Sequence, residues 1–355
     1  MDFEYNGLET NTENPCKITS IHYADFSLTK IHRRRTIMKI LDQNRIRDER
    51  HLRSLTGLNA DQFERLLPRF TQARKHIEEQ EYQVRLKRNP HARRPGGGRK
   101  GKLPTDEDKL IFILYYMKVY PTFDVLADKF DMSRSTAHTN VYRFFPVLTQ
   151  ALHDLNAIPH RKFETVEEFK EALGDTERLM IDATERAFRR SIDADIQRQY
   201  YSGKKKQHTV KNTVISREDK SIFFLGETFT GHNHDYTMLK IELPPELDWF
   251  SDVDIFADLG YLGITSHYKG DSIHIPHKKP RKSDANPDPQ LTQLQKDENS
   301  DLSRVRIVVE NAIAGIKRFN VLVHRFRNRG SLYFSDKLED TVISLCAGLW
   351  NLSLA

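Results

Sequence analysis

Three acidic residues stand where core packing explains them poorly. Asp182 closes the apolar run "RLMI", Asp258 closes "VDIFA", and Glu310 lies within the helical pattern "RVRIVVENAIAGIKRFNVL". The first two fall at or near the ends of buried strands, and Gly260 just beyond Asp258 permits close approach of a loop or ligand. Glu310 shares its helix with Arg306, four residues before it, and Lys317, seven after. At about 100° per residue these steps return to within about 40° and 20° of one line, so the three form a single stripe. Taken singly, each Asp reads as a turn-capping acid, and the Arg306/Glu310 pair as an ordinary surface pair. Taken together, three converging carboxylates suit two divalent ions, Mg²⁺ or Mn²⁺. Such a pair activates a nucleophile and stabilises the leaving oxygen in phosphodiester cleavage.

Neighbouring groups compete for these roles. Glu185 is close to Asp182, but three residues along a strand turn it to the opposite face. Asp252 and Asp254 precede the strand core and belong to its leading turn. His232, His234 and Asp235 in "GHNHD" have a metal-like composition, which also fits a loop with Asp235 capping a helix. Lys204, Lys205, Lys206, His208 and Lys211 read as phosphate contacts or as a solvated hairpin loop.

The chain of 355 residues is long enough for two domains, and its 38% apolar and 30% charged content is globular and soluble. The net charge of +6 matters less than its distribution. The stretch "RLKRNPHARRPGGGRKGK" holds eight Lys or Arg, among them Arg93, Arg94, Arg99 and Lys100, and no acid. "HRRR", "KKK", "HKKPRK" and "HRFRNR" recur elsewhere. Such clusters suit a polyphosphate partner, although any one of them reads as a solvated linker. Cys16 and Cys346 lack the spacing of a zinc or disulfide framework, which indicates a reducing compartment. The N-terminus has no apolar secretory core, and no apolar run of about 18 residues could span a membrane. The tail "TVISLCAGLWNLSLA" reads as a buried closing helix.

The elements that must position the acids follow from pattern. Residues 1–35 show little periodicity and are expected to be poorly ordered. Residues 36–102 read as a helical segment followed by a basic Gly/Pro linker, with Asn59 or Asp61 capping a short helix around Phe63, Leu66 and Leu67. Residues 103–155 contain an apolar helix stopped by Pro121, then two short helices capped by Thr122 and Ser133 and joined by a tight "DMS" turn. That arrangement is a helix-turn-helix or a plain helical hairpin. In the first case Arg134, Ser135, His138 and Thr139 reach base edges from the exposed start of the second helix. Residues 156–355 change period: "RLMIDAT", "HTVKNTVIS", "KSIFFLGETF" and "VDIFADLGY" read as strands, and a long helix begins near Asp301, giving a mixed α/β domain.

The blocks "MIDATE", "FADLGYLG" and "RIVVENAIAGIKRF", with "YPTFDVLADKFDMSRSTAHTNVYRFFPVL" upstream and "YYSGKKKQHTVK" and "HNHD" between the first two acids, resemble the DDE transposases of the insertion-sequence-five and Harbinger superfamily. The resemblance runs from about Leu103 to the C-terminus and favours the bacterial insertion-sequence branch. It implies an α/β ribonuclease-H-like catalytic domain, a mixed sheet flanked by helices, preceded by an all-α region with a helix-turn-helix. It implies Asp182, Asp258 and Glu310 as catalytic ligands of two Mg²⁺ or Mn²⁺ ions. Arg306 and Lys317 become DNA contacts, while the Tyr of the related signature is replaced by Ser303. The implied partner is double-stranded DNA, both element ends and target, handled by a homodimer in the synaptic complex. The setting is cytoplasmic in a bacterium or nuclear in a eukaryote. A repurposed metal-dependent endonuclease and a DNA-binding regulator remain as alternatives.

Overall fold

The computed structural model describes residues 46–96, 98, 101–270, 272–284, 286–328 and 338–355. The expectation of poor order for residues 1–35, and the cations Arg99 and Lys100, lie outside them.

The chain begins with helices. α1 (Glu49–Thr56) is capped by the Asp48 carboxylate and closed by Gly57, whose φ of 80° few side chains tolerate. α2 (Ala60–Arg88) opens on a reciprocal capping box between Asn59 and Gln62. The sequence suggests a short helix here, but α2 runs 29 residues and passes through Pro68. Phe63, Leu66, Phe70 and Ala73 are buried along it, which offsets the one backbone hydrogen bond that proline removes. α3 (Asp106–Val119) is apolar on nearly every side and is buried accordingly. α4 (Phe123–Lys129) and α5 (Arg134–His153) follow, each capped by the hydroxyl foreseen from sequence, Thr122 and Ser133. The chain reverses between them through Asp131 at φ 51°, with the Met132 amide donating to the Ala127 carbonyl. α5 is far longer than the pattern suggested, because its second half buries Phe144, Phe145, Leu148 and Leu152.

Beyond α6 (Val166–Leu173) comes one mixed sheet of β1 (Arg178–Ala187), β2 (Tyr201–Ser202), β3 (Gln207–Arg217), β4 (Ile222–Leu225), β5 (Phe229–Thr230), β6 (Asp254–Ala257) and β7 (Ile273–His274). The order is β2-β3-β1-β6-β7, with β4 and β5 also paired to β3. β1 is antiparallel to β3 and parallel to β6, and β6 is parallel to β7. The run "KSIFFLGETF", expected as one strand, divides at Gly226. A Cβ there would lie 1.9 Å from Glu242 Oε1. β2, β5 and β7 have two residues each, too few to leave a periodic signal.

Helices α7 (Ala194–Tyr200), α8 (Asp235–Glu242), α9 (Ile264–His267), α10 (Gln293–Ile316), α11 (Asn320–Val323) and α12 (Leu338–Leu352) complete the chain. α10 starts at Gln293 rather than near Asp301, since Thr292 and Gln295 form a capping box ahead of a polar first half that carries no apolar stripe. Alternation along β1 feeds two cores. Met180 joins a core shared with the N-terminal helices, α10 and α12, whereas Leu179 and Ile181 pack with Phe169, Phe223, Trp249 and Phe250 on the other face. Among the described residues no helix is long and apolar enough to cross a membrane.

Candidate active site

β1 and β6 lie side by side, with Ile181 level with Ala257. Asp182 and Asp258 come next on each chain. Adjacent strands are about 4.8 Å apart, so the two carboxylates emerge at the same end of the sheet and the same level. β6 ends there because Asp258 turns back on its own chain. Its Oδ1 accepts the Gly260 amide at 2.7 Å and caps a single 3-10 turn, Leu259–Tyr261. β1 continues instead, with Asp182 opposite Val214 of β3 and its Oδ1 accepting the Ala183 amide at 2.7 Å.

α10 packs against β1, β3 and β6, with Val309, Ala312 and Ile316 buried along it. The close seat of its far side is set by Gly315, where a Cβ would fall 2.3 Å from the Trp350 ring of α12. This placement brings Glu310, Arg306 and Lys317 to a concavity of about 300 Å³ that Asp182 and Asp258 also line. Lys204 and Lys205 from the β2–β3 turn close another side. The Arg306 side chain is only 13% exposed and Glu310 is 59% exposed, with Nη2 and Oε1 4.0 Å apart. Arg306 Nε is buried without a hydrogen-bond partner.

Charge in the concavity is unevenly compensated. Burial pushes the Asp182 carboxyl up to about 6; the nearby Asp258 and Asp235 charges add to this, while the Ala183 amide and Arg306 oppose it. Burial lowers Lys317, and Lys205 lowers it further. The Tyr261 hydroxyl is fully buried under the acids without a hydrogen-bond partner, and burial, then Asp182, Asp235 and Asp258, drives it well above its ordinary value. Asp182, Asp258 and Glu310 are hard oxygen donors of the kind Mg²⁺ and Mn²⁺ take, and a buried acid repelled by its neighbour is a fit place for a cation. As the side chains lie, no three His, Cys, Asp or Glu among the described residues are grouped closely enough to hold a metal. Glu310, largely in solvent, is the member with freedom to turn.

Two neighbours depart from expectation. Asp235 is not the cap of α8; His234 holds that position, and the Asp235 carboxylate lines the concavity in an ion pair with Lys211 Nζ at 2.9 Å. Lys211 also donates to the Asn233 carbonyl at 2.9 Å, so its ammonium is already engaged. Glu185 lines the concavity too, where strict alternation would turn it away, and accepts from Thr209 Oγ1 at 2.6 Å. Strand twist and a long side chain account for that. Neither residue had a sequence signal beyond closeness to Asp182 or the "GHNHD" composition, because the pairing with Lys211 and Thr209 exists only across strands.

The remaining candidates are spread over the surface. Arg134, Ser135, His138 and Thr139 line an open depression at the start of α5, with Arg134 Nε 3.6 Å from Asp124 and the His138 ring 4.9 Å from Phe123. Lys206 is exposed at the tip of the β2–β3 turn, outside the concavity. Arg93 is exposed, and Arg94 pairs with Glu79 at 3.1 Å. Ser303, in the position of the signature Tyr, donates to the Asn299 carbonyl within its own helix.

Residues 181–351 match the DDE superfamily endonucleases, and 101–154 match the helix-turn-helix of DDE superfamily endonucleases. Both matched segments, 101–154 and 181–351, are of the DDE superfamily. It is 28% identical over 277 residues to a probable transposase for insertion sequence element IS702 from Microchaete diplosiphon, which covers 77% of this chain and 90% of that protein. No solved structure matches it. The DDE match begins at Ile181 and spans all three acids; the helix-turn-helix match contains α3, α4 and the whole of α5.

Proposed function

We propose that this DDE protein is the transposase of an insertion sequence. Its helix-turn-helix binds the terminal inverted repeats, and its acidic concavity cuts the ends and joins the 3′ hydroxyl to target DNA. The observation carrying this reading is the pairing of Asp182 and Asp258 on adjacent parallel strands with Glu310 on the crossing helix, all lining one concavity. The mixed sheet, with three parallel strands β1, β6 and β7 beside an antiparallel β3, supports a ribonuclease-H-like assignment.

In the hydrolytic step a water oxygen bonds to phosphorus and the P–O3′ bond breaks, leaving a 3′ hydroxyl and a 5′ phosphate. In the joining step that hydroxyl attacks a target phosphorus and displaces its 3′ oxygen. Two Mg²⁺ or Mn²⁺ ions held by Asp182, Asp258 and Glu310 would supply Lewis-acid activation of the attacking and leaving oxygens. Arg306, held beneath the site, and Lys317 meet the phosphate charge as it builds. Lys204 and Lys205 contact the strand entering the concavity, and Arg134, Ser135, His138 and Thr139 read the repeat. Two ends must be brought together, so the working unit is a homodimer.

The test is Asp258→Asn, which should abolish cleavage with Mg²⁺ while duplex binding changes by no more than a few fold. A variant that cuts normally refutes the assignment. In the same assay, joining of a pre-cut end by the wild type supports transposition; nicking without joining identifies a repurposed endonuclease.

A further inference from the structure

The parallel strands β1, β6 and β7 all run toward the acidic concavity and β6 and β7 end there, so the chain leaving β7 starts at the level of the catalytic acids. It does not wander off. Asn299 of α10 grips the His277 peptide from both sides, its Oδ1 accepting the His277 amide at 2.7 Å and its Nδ2 donating to the His277 carbonyl at 3.1 Å. The His277 ring meets Glu298 at 2.6 Å. A second turn closes farther on, where Ser283 and Asn286 exchange backbone hydrogen bonds at 3.0 Å. Between these two fixed points lies the strap of residues 278–282, "KKPRK".

Its four cations, Lys278, Lys279, Arg281 and Lys282, are all exposed, and none pairs with a carboxylate among the described residues. Pinning four unpaired like charges side by side is unfavourable in the free protein, and it becomes favourable against a polyanion. The nearby acids do not neutralise them: Glu298 is taken by His277, and Asp301 by Arg304 at 2.9 Å.

Position along α10 gives the strap its meaning. Asn299 precedes Glu310 by eleven residues, about 17 Å of helix, or roughly five base pairs of duplex at about 3.4 Å each. The helical domain docks at the opposite end, where Lys118 Nζ donates to the Arg318 carbonyl at 2.6 Å. The acids therefore lie between the helix-turn-helix on one side and the strap on the other.

We infer that residues 278–282 bind the backbone of duplex DNA on the far side of the cut from the helix-turn-helix, that is, the DNA flanking the element end. Before cleavage the duplex is continuous through the scissile bond, so flanking DNA must occupy that side. This rests on the transposase reading.

The experiment measures binding in EDTA by fluorescence anisotropy. The probes are duplexes carrying the terminal sequence that borders the coding region, either flush at the junction or extended by about one helical turn of flank, ~10 base pairs. A random duplex of equal length is the control. Wild type should bind the flanked probe at least about tenfold more tightly than the flush one at low salt, with a steeper salt dependence. Changing Lys278, Lys279, Arg281 and Lys282 together to Ala should erase that gain, lower the salt slope by about 3, and leave the flush probe unchanged. Asn299→Ala keeps every charge and should lose part of the gain, since the strap is then unpinned. If wild type prefers the terminal sequence but its flank gain survives the four alanines, or if flush and flanked probes lose equally, the strap assignment is overturned by itself. If wild type does not distinguish terminal from random duplex, the transposase reading fails and the strap falls with it.

Discussion

Replacing Asp182 by Asn should stabilise the metal-free protein while destroying cleavage, and the size of the gain follows from the site. Burial against Asp258 and Asp235 pushes the Asp182 carboxyl from its ordinary 3.8 to about 6. The folded state therefore holds this proton more tightly than the unfolded chain does. Its favourable contribution is complete below about pH 4 and is lost as pH rises through about 6. The gap corresponds to about 3 kcal/mol at neutral pH as an upper limit, and about 1–3 kcal/mol once residual solvent contact is allowed for. Asn keeps an oxygen for the Ala183 amide and removes the charge. The assay is thermal unfolding in EDTA at about pH 4 and about pH 8, where a Tm gain of about 1–4 °C for the variant is expected at the higher pH only. Adding Mg²⁺ or Mn²⁺ should then raise the wild-type Tm and leave the variant behind, because a cation bound only to the folded state stabilises it by mass action. An advantage of equal size at both pH values, or equal stabilisation of both proteins by the cation, would refute the reasoning.

Two further predictions separate structure from chemistry. Glu242 is a second buried acid, pushed to about 7 chiefly by burial, with the Thr213 hydroxyl and the Glu227 amide opposing the shift; Glu242→Gln should stabilise the protein above about pH 7 by the same sign argument, yet leave Mg²⁺-dependent cleavage intact in a nicking assay. Arg134 and Asp124 are mostly exposed, so Arg134→Ala should leave Tm unchanged and weaken binding to the terminal sequence by about 1–3 kcal/mol more than binding to random duplex; equal losses on both would reduce Arg134 to a phosphate contact.

How much of this was legible from the residues depends on distance along the chain. The Thr122 and Ser133 caps, the Arg306/Glu310/Lys317 stripe and the strand carrying Asp182 are local patterns, and local periodicity reports them directly. The long reach of α2 was hidden by Pro68, whose local cost is outweighed by packing that only the folded chain supplies. β7 has two residues and was invisible, although it sets where the basic strap begins. Asp235 and Glu185 were misjudged because their surroundings come from other strands. Lys211 lies 24 residues from Asp235 and Thr209 lies 24 from Glu185, and the register that joins each pair is a property of the sheet.

The junction between the helical region and the sheet is built as one core rather than as two bodies on a tether. Val309 and Ile316 of the helix that carries Glu310, and Phe319 just beyond its end, belong to the same buried cluster as Phe63, Phe112 and Phe145. Asn328, 7% exposed, tightens that junction: its Oδ1 accepts the hydroxyls of Tyr116 at 2.7 Å and Tyr120 at 3.1 Å, and its carbonyl accepts Arg189 Nη1 at 3.0 Å. Arg327 adds a guanidinium over the Tyr120 ring at 4.3 Å and a bond to the Tyr120 carbonyl. Each of these residues follows α10 within a few turns of chain, so the start of α5 is held at a fixed offset from Glu310. A loose linker would let a bound repeat sample many positions over the acids. A shared core with a satisfied polar knot restricts it to few, and that is the property needed if the protein is to cut at a set distance from the sequence it reads.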